Sequence, residues 1–467
     1  VVSLVVLPPL LYAAGEELPW RDLRAVWRPV TALAVGLVLA SAAAVGAIVV
    51  AITGLPVGMA IVLGTVLAST DPVAVTALGR RLSLPPRVQA LVQAESLFND
   101  ATSLLLFRVA LSIAVTMGAV SWGHVVSDFV LLAGGGAVVG AVIAGGVLLI
   151  RGRTTDPVLE TVVALVTPYA AYVLAEAVGA SGVTAVVVAS VLIGTQTSRV
   201  TTPHTRLQLD AVYQTVVFLL ESVVFGLIGL ELPTLVRRLS SEGPTWLPQA
   251  LAITATLVVI RVLWVFPLSA LVQRRGGRRP SWQVPAVVSW AGARGVVPLA
   301  ASLSIPLATD SGTPLPGRDL VLLLSTAVIV ITLVVQGFTL APLVRRAGVA
   351  QAPADVAHED SVARLHLARA GISHLEQLAD LEAAPLIVLD QLRRRLQARI
   401  DRIDADRVET ADPGHRGVAY RALRRNVLAV QREELERLFA AGTISDTTRR
   451  KVERALDLED AGLGEDP

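Results

Sequence analysis

Apolar runs of about twenty residues recur along most of this chain, and they restrict its fold more than any single motif does. A hydrocarbon core about 30 Å thick is crossed by roughly 20 apolar residues in a helix. Ten runs reach or approach that length, at 29–52, 56–78, 88–117, 128–150, 158–178, 181–197, 209–232, 248–273, 284–305 and 319–341. An eleventh, VVSLVVLPPLLYAA at 1–14, is short and begins without Met, so we expect the natural N-terminus to lie upstream. Composition agrees: 53% of the residues are hydrophobic and only 17% charged, where soluble domains average about 25% charged. The reading is an all-α polytopic membrane protein. The absence of Cys excludes disulfide scaffolds, thiol nucleophiles and Cys-based metal sites.

Charge divides the chain in two. Residues 1–350 carry a net +6 and residues 351–467 a net −4, which gives a transmembrane domain over 1–346 and a soluble tail over 347–467. In the tail, VLDQLRRRLQARIDRIDADRV spaces Leu, Ile and Val three or four apart among charges, the period of amphipathic helices. Within the membrane domain the Arg residues alternate. Arg21, Arg24, Arg28, Arg80, Arg81, Arg87, Arg151, Arg153, Arg199, Arg206, Arg274, Arg275, Arg278, Arg279, Arg345 and Arg346 fall in one set of loops, and only Arg237, Arg238 and Arg318 in the other. The positive-inside rule makes the first set, and the tail behind it, cytoplasmic in a plasma (inner) membrane protein. No basic stripe with interleaved aromatics points to nucleic acid.

Against this background, charges inside the spans are the informative residues, because each costs at least about 2.5 kcal/mol to insert. Six stand there: Asp71, Glu95, Asp100, Glu221, Arg261 and Arg294. In VLASTDPVAVTAL, Pro72 disfavours helical geometry at the residue before it, so the helix should break at Thr70 and Asp71 and free carbonyls beside a carboxylate. A cation site and a capped proline kink are both compatible with that break. In LVQAESLFNDATSLLLF, Glu95, Ser96, Asn99, Asp100 and Ser103 fall within an arc of about 140° on one helix face. Farther on, SWAGARGVVPLAASL places Gly292, Gly295 and Pro298 around Arg294, which marks a second interrupted helix. The two broken segments are an odd number of spans apart and so run in opposite directions, as inverted repeats of transporters do. Glu221 and Arg261 sit at similar depth on consecutive spans and are expected to form an ion pair.

The ordered set LPPLLYAAG, TDPVAV, ESLFNDATSLLLF, FLLESVVFGLIGLEL and GARGVVPLA resembles the bacterial NhaP-type sodium/proton antiporters of the cation:proton antiporter-1 family over residues 1 to about 345. The resemblance implies an NhaA-like inverted-repeat fold of about thirteen helices, eleven of them visible in this sequence, and a homodimer in the lipid bilayer. It implies that Asp100 alternates between sodium and proton, with Asp71, Thr70 and Ser96 completing the cation's oxygen shell and Asn99 replacing a second Asp of electrogenic relatives. Exchange would then be one for one, with no cofactor beyond the transported sodium and proton, and with lithium or potassium as alternative cargo. Glu95 is expected to pair with Arg294. One departure stands out: relatives read LPPLLFEAA where this chain has Ala13, so that acid's role passes to Glu16 or Glu17 if either reaches inward.

Two other features bear on function. Gly179-Ala180-Ser181-Gly182 matches the GxSG pattern of intramembrane serine proteases, but none of the six His residues falls in a span to serve as base, so Ser181 reads as a turn residue and the chain as no enzyme. GGGAVVGAVIAGG, around Gly134, Gly135, Gly136 and Gly140, offers a small-residue face for close helix packing, within the bundle or at a dimer interface.

Overall fold

The computed structural model describes every residue except 1, 19, 72–83, 117–121, 155, 241–244, 276–280, 309–312, 351–352, 381–384, 409–412, 442, 444–445 and 462–467. It forms two compact units, Val1–Ala352 and Pro353–Pro467. Among the described residues the structure is helical apart from turns, extended connections and one isolated β-bridge between Ala308 and Pro314.

The first unit begins with α1 (Val2–Glu16). A continuous helix follows, made of α2 (Trp20–Thr31), a π-helical stretch (Ala32–Leu37) and α3 (Val38–Thr53). Gly54 ends α3 with φ of 65°, a left-handed conformation that residues bearing a Cβ rarely adopt. Next come α4 (Val57–Ala68), α5 (Pro86–Thr116), α6 (Trp122–Arg151), α7 (Pro157–Ala177) and α8 (Gly182–Val200). The long α9 (Pro203–Ser240), α10 (Trp246–Arg275), the short pair α11 (Gln283–Trp290) and α12 (Val296–Leu303), and α13 (Arg318–Ala347) complete the unit. Seven of the described helices are long and apolar enough to cross a membrane, and three shorter apolar helices, Leu4–Glu16, Val57–Ala68 and Gly182–Thr197, stand beside them. With the interrupted pair α11 and α12, these account for the eleven expected segments. Residues 72–78 of the second expected run lie outside the described residues.

The helices form two groups. In one, α3 packs on α4, α4 on α5, and α10 on α3, α11 and α13; in the other, α8 packs on α1, α6 and α7, and α9 on α7. Across the boundary α1 and α9 face α12, and α5 faces α8. Small residues let the second group close. A Cβ on Gly136 would lie 2.5 Å from the Ser181 carbonyl oxygen, and one on Gly140 would lie 2.3 Å from that of Ala185. The glycine-rich face of α6 is therefore used within the bundle by these two residues, whereas Gly134, Gly145 and Gly146 have open space around them. Ser181 is the N-cap of α8, its hydroxyl accepting from the Thr184 amide at 3.2 Å. Val130, Leu131, Val138 and Val142 of α6 and Phe218, Leu219 and Leu230 of α9 are exposed, a surface that only lipid or another apolar partner can cover.

In the second unit, α14 (Pro353–Asp380) packs on α15 (Leu386–Val408), and α16 (Pro413–Ala440) packs on α17 (Asp446–Ala461). Leu365, Ala368 and Ile400 form a small core between the first two, flanked by Ile372.

These contacts generate a paired test. Gly140→Val should lower the melting temperature of the detergent-solubilised protein by several degrees, since overpacking a close helix contact costs about 1–3 kcal/mol. Gly145→Val, with the same change in helix propensity but open space, should leave it nearly unchanged.

Candidate ion-binding site

The site is built where two helices stop inside the bundle. After Ala68, Ser69 turns extended, with φ of −68° and ψ of 145°, so the last carbonyls of α4 lose their helical partners. The second break, at Ala291–Gly295 between α11 and α12, crosses the first. The Asp71 amide donates to the Ala293 carbonyl at 2.7 Å, joining the two breaks through backbone. Gly295 is the N-cap of α12, and a Cβ there would overlap the Asp71 carboxylate. Only glycine lets that carboxylate lie against the positive end of α12.

Arg294 serves both helix ends. Its Nε donates to the Leu67 carbonyl at 3.0 Å, one guanidinium nitrogen donates to the Gly292 carbonyl, and its amide donates to the Thr332 hydroxyl at 3.2 Å. A buried cation placed on orphan carbonyls offsets the negative ends of α4 and α11.

The expected ion pairs are corrected by this geometry. Glu95, fully buried, binds Arg261, not Arg294, in a bidentate pair of 2.5 and 3.0 Å. Arg261 also donates from Nε (3.2 Å) and a terminal nitrogen (3.0 Å) to the Val288 carbonyl. Gly292 makes room for it, since a Cβ there would lie 2.7 Å from the guanidinium Nε. Arg261 thus ties α5, α10 and α11 together. Glu221, expected to be its partner, is half-buried on α9 in the wall of a cavity.

That cavity, of about 370 Å³, lies between the two helix groups. Thr70, Asp71, Ser96 and Asp100 line it on one side, with Val296 to Pro298 of α12. Ala13 of α1 and Tyr213, Gln214 and Glu221 of α9 line it on the other. Glu17 also lines it, while its neighbour Glu16 turns to Arg151 (3.5 Å) and Thr197 (3.3 Å). The space left at Ala13 is therefore bordered by Glu17.

Four of the five expected cation-binding residues meet in this wall. Ser96 donates to the Thr70 carbonyl at 2.6 Å, and Ser103 donates to the Thr65 carbonyl at 2.5 Å. The fifth, Asn99, closes the break. With its amide nitrogen on the Ala68 carbonyl (3.2 Å), its oxygen accepts from the Thr70 amide (3.3 Å) and hydroxyl (3.0 Å). Sequence reasoning missed Ser69, whose hydroxyl donates to the Asp100 carboxylate. Its adjacency to the Thr70-Asp71-Pro72 break was the available signal.

The chemistry of this arrangement is set by desolvation. Asp100 is buried, and a buried ionised carboxylate needs a proton, a cation or several donors to offset its lost hydration. The structure supplies one hydroxyl, a neighbouring carboxylate and a backbone carbonyl, an oxygen set suited to a small hard cation. Glu95 and Arg261, by contrast, neutralise each other. Glu95→Met or Arg261→Met alone should destabilise the protein by about 3–5 kcal/mol, and the double variant should recover much of that loss. A thermal-unfolding double-mutant cycle measures it, and Glu221→Gln with Arg261→Met should show no such coupling.

Comparison with known proteins agrees with this architecture. Residues 1–346 match the family of sodium/hydrogen exchangers, transmembrane. An uncharacterized Na+/H+ exchanger of Mycobacterium tuberculosis is 34% identical over 99% of this chain and 87% of its own length. A sodium, potassium, lithium and rubidium/H+ antiporter of Bacillus subtilis is 32% identical over 70% of this chain and 51% of its own. The structure is similar to that of the sodium proton antiporter MjNhaP1 of Methanocaldococcus jannaschii, with a TM-score of 0.60 and 20% identity over 73% of this chain and 84% of that one. On its sequence match across the whole membrane unit, the chain belongs to the sodium/hydrogen exchanger family.

Proposed function

We propose that this protein exchanges sodium for protons across the plasma membrane, one for one, with Asp100 holding either ion in turn. The observation that carries the reading is the meeting of Asp100, Asp71, Ser96 and the broken backbone at Thr70 in one cavity wall between two helix groups. Sodium would take oxygens from the two carboxylates, the Thr70 carbonyl or hydroxyl and Ser96. When a proton takes its place, Asp100 becomes neutral and loses its hold on the cation. Cation and proton thereby exclude each other at one carboxylate, and no cofactor enters the cycle.

Coupling requires that the site change sides only when loaded. Glu17, Gln93 and Gln214, which line the cavity, lie toward the Arg-rich ends of their helices. A cavity reaching the site from that side supports a cytoplasm-facing state of an alternating-access cycle. Asn99 adds no charge, which supports electroneutral exchange. The tail is assigned to the cytoplasm by the same Arg bias, and the exposed apolar faces of α6 and α9 are compatible with a homodimer. Potassium is a second cargo candidate, because the Bacillus subtilis relative carries potassium in its name.

Everted vesicles test the assignment. Asp100→Asn should abolish sodium-driven proton release while the protein remains folded in the membrane. Lowering pH by one unit should raise the apparent KM for sodium by up to about tenfold, because the two ions compete for one group. A panel of sodium, lithium and potassium fixes the cargo. In proteoliposomes, exchange should not respond to a clamped potential, although 100 mV is worth about 2.3 kcal/mol per charge moved; a clear response would refute one-for-one exchange.

A further inference from the structure

A larger cavity, of about 730 Å³, lies outside the ion site, between α2 and the π-helical stretch on one side and α5 on the other. Arg24 and Trp27, both exposed, line one end, and Val30, Val35, Phe98 and Thr102 line the rest. The apolar span of this helix begins at Val26, so the rim lies at the membrane boundary on the Arg-rich side. From Arg24 to Val35 the helix rises about 16 Å, close to one leaflet of a hydrocarbon core about 30 Å thick. The cavity is a slot about one leaflet long with Arg24 at its mouth.

The rim is suited to a phosphate. Arg28, one helical turn after Arg24 and exposed like it, stacks over the Trp27 ring at 5.6 Å from its centroid. Guanidinium groups bind phosphate oxygens bidentately, and Trp favours the headgroup level of a bilayer. The wall is also built for width. Ala34 and Val35, which line the slot, belong to the π-helical stretch, a widened turn often found at functional positions. The Trp264 indole stabilises that turn from behind, donating to the Ala32 carbonyl at 3.2 Å. A free phosphate would leave the apolar slot empty, and a zwitterionic lipid would bring its own cation to the Arg residues.

We infer that this slot binds one anionic phospholipid, its phosphate on Arg24 and Arg28 and one acyl chain along Val30, Val35 and Phe98. The ligand bears on α5 from the side away from the ion site, since Phe98 lies about 160° around that helix from both Ser96 and Asp100.

Fluorescence tests the assignment on the full chain, delipidated in detergent. Phosphatidylglycerol or phosphatidylcholine with brominated acyl chains is titrated in, and the Trp27 signal is taken as the difference from Trp27→Phe. Brominated phosphatidylglycerol should quench Trp27 at about tenfold lower mole fraction than phosphatidylcholine. Arg24→Gln with Arg28→Gln, both exposed positions that leave the bundle intact, should abolish that preference. Equal quenching by the two lipids, or a preference that survives the double replacement, would overturn the proposal. So would displacement of the brominated lipid by soluble glycerol phosphate at equal concentration, which would mark a phosphate site without lipid.

Discussion

A helix interrupted inside a bilayer leaves carbonyls and amides that neither water nor lipid can satisfy, and the membrane unit is arranged around that constraint. Its two breaks cross and answer each other. The Asp71 amide finds the Ala293 carbonyl, Arg294 takes carbonyls from both segments, and Asn99 supplies an amide that mimics the missing peptide partners at Ala68 and Thr70. A small set of oxygens from these residues faces the cavity. The candidate ion site lies where the two breaks meet the cavity, with the carboxylates of Asp71 and Asp100 in its wall.

Buried charge follows a similar logic at a second level. Glu95 and Arg261 satisfy each other and the Val288 carbonyl, so they carry no open valence toward the cavity. Their task is to hold α5 against α10 and α11, which fixes the helix that presents Asp100. A site carboxylate can be left incompletely matched because its neighbours are matched fully.

Much of this is legible in the amino-acid sequence. Pro72 and the cluster of Gly292, Gly295 and Pro298 announced the breaks, because backbone chemistry is local in sequence. The polar stripe of Ser96, Asn99 and Asp100 was legible for the same reason: helical period converts spacing into a face. Partner choice was not. Glu95, Glu221, Arg261 and Arg294 all sit at comparable depth, and depth is all that position along a span reveals. Which Arg meets which acid depends on how helices are ordered around the bundle, and on Gly292, whose missing Cβ admits the Arg261 guanidinium. Ser69 escaped notice because a single hydroxyl beside a break has no pattern of its own.

The bonding on the two sides of the cavity differs in kind. Behind the breaks, the contacts are directional: ion pair, capped carbonyl, backbone bridge. Across the cavity, Leu10, Leu11, Val217 and Phe218 confront Val296, Val297 and Pro298, apolar side chains that hold one another without hydrogen bonds. An ion pair that does cross between the groups, Arg108 with Glu176 at 2.5 Å, has side chains 38% and 32% exposed, so water can stand in for either member. Contacts of that kind can be exchanged for others like them without stranding a hydrogen-bond donor or acceptor, whereas opening the bonds behind the helix breaks would strand several in a medium that cannot replace them.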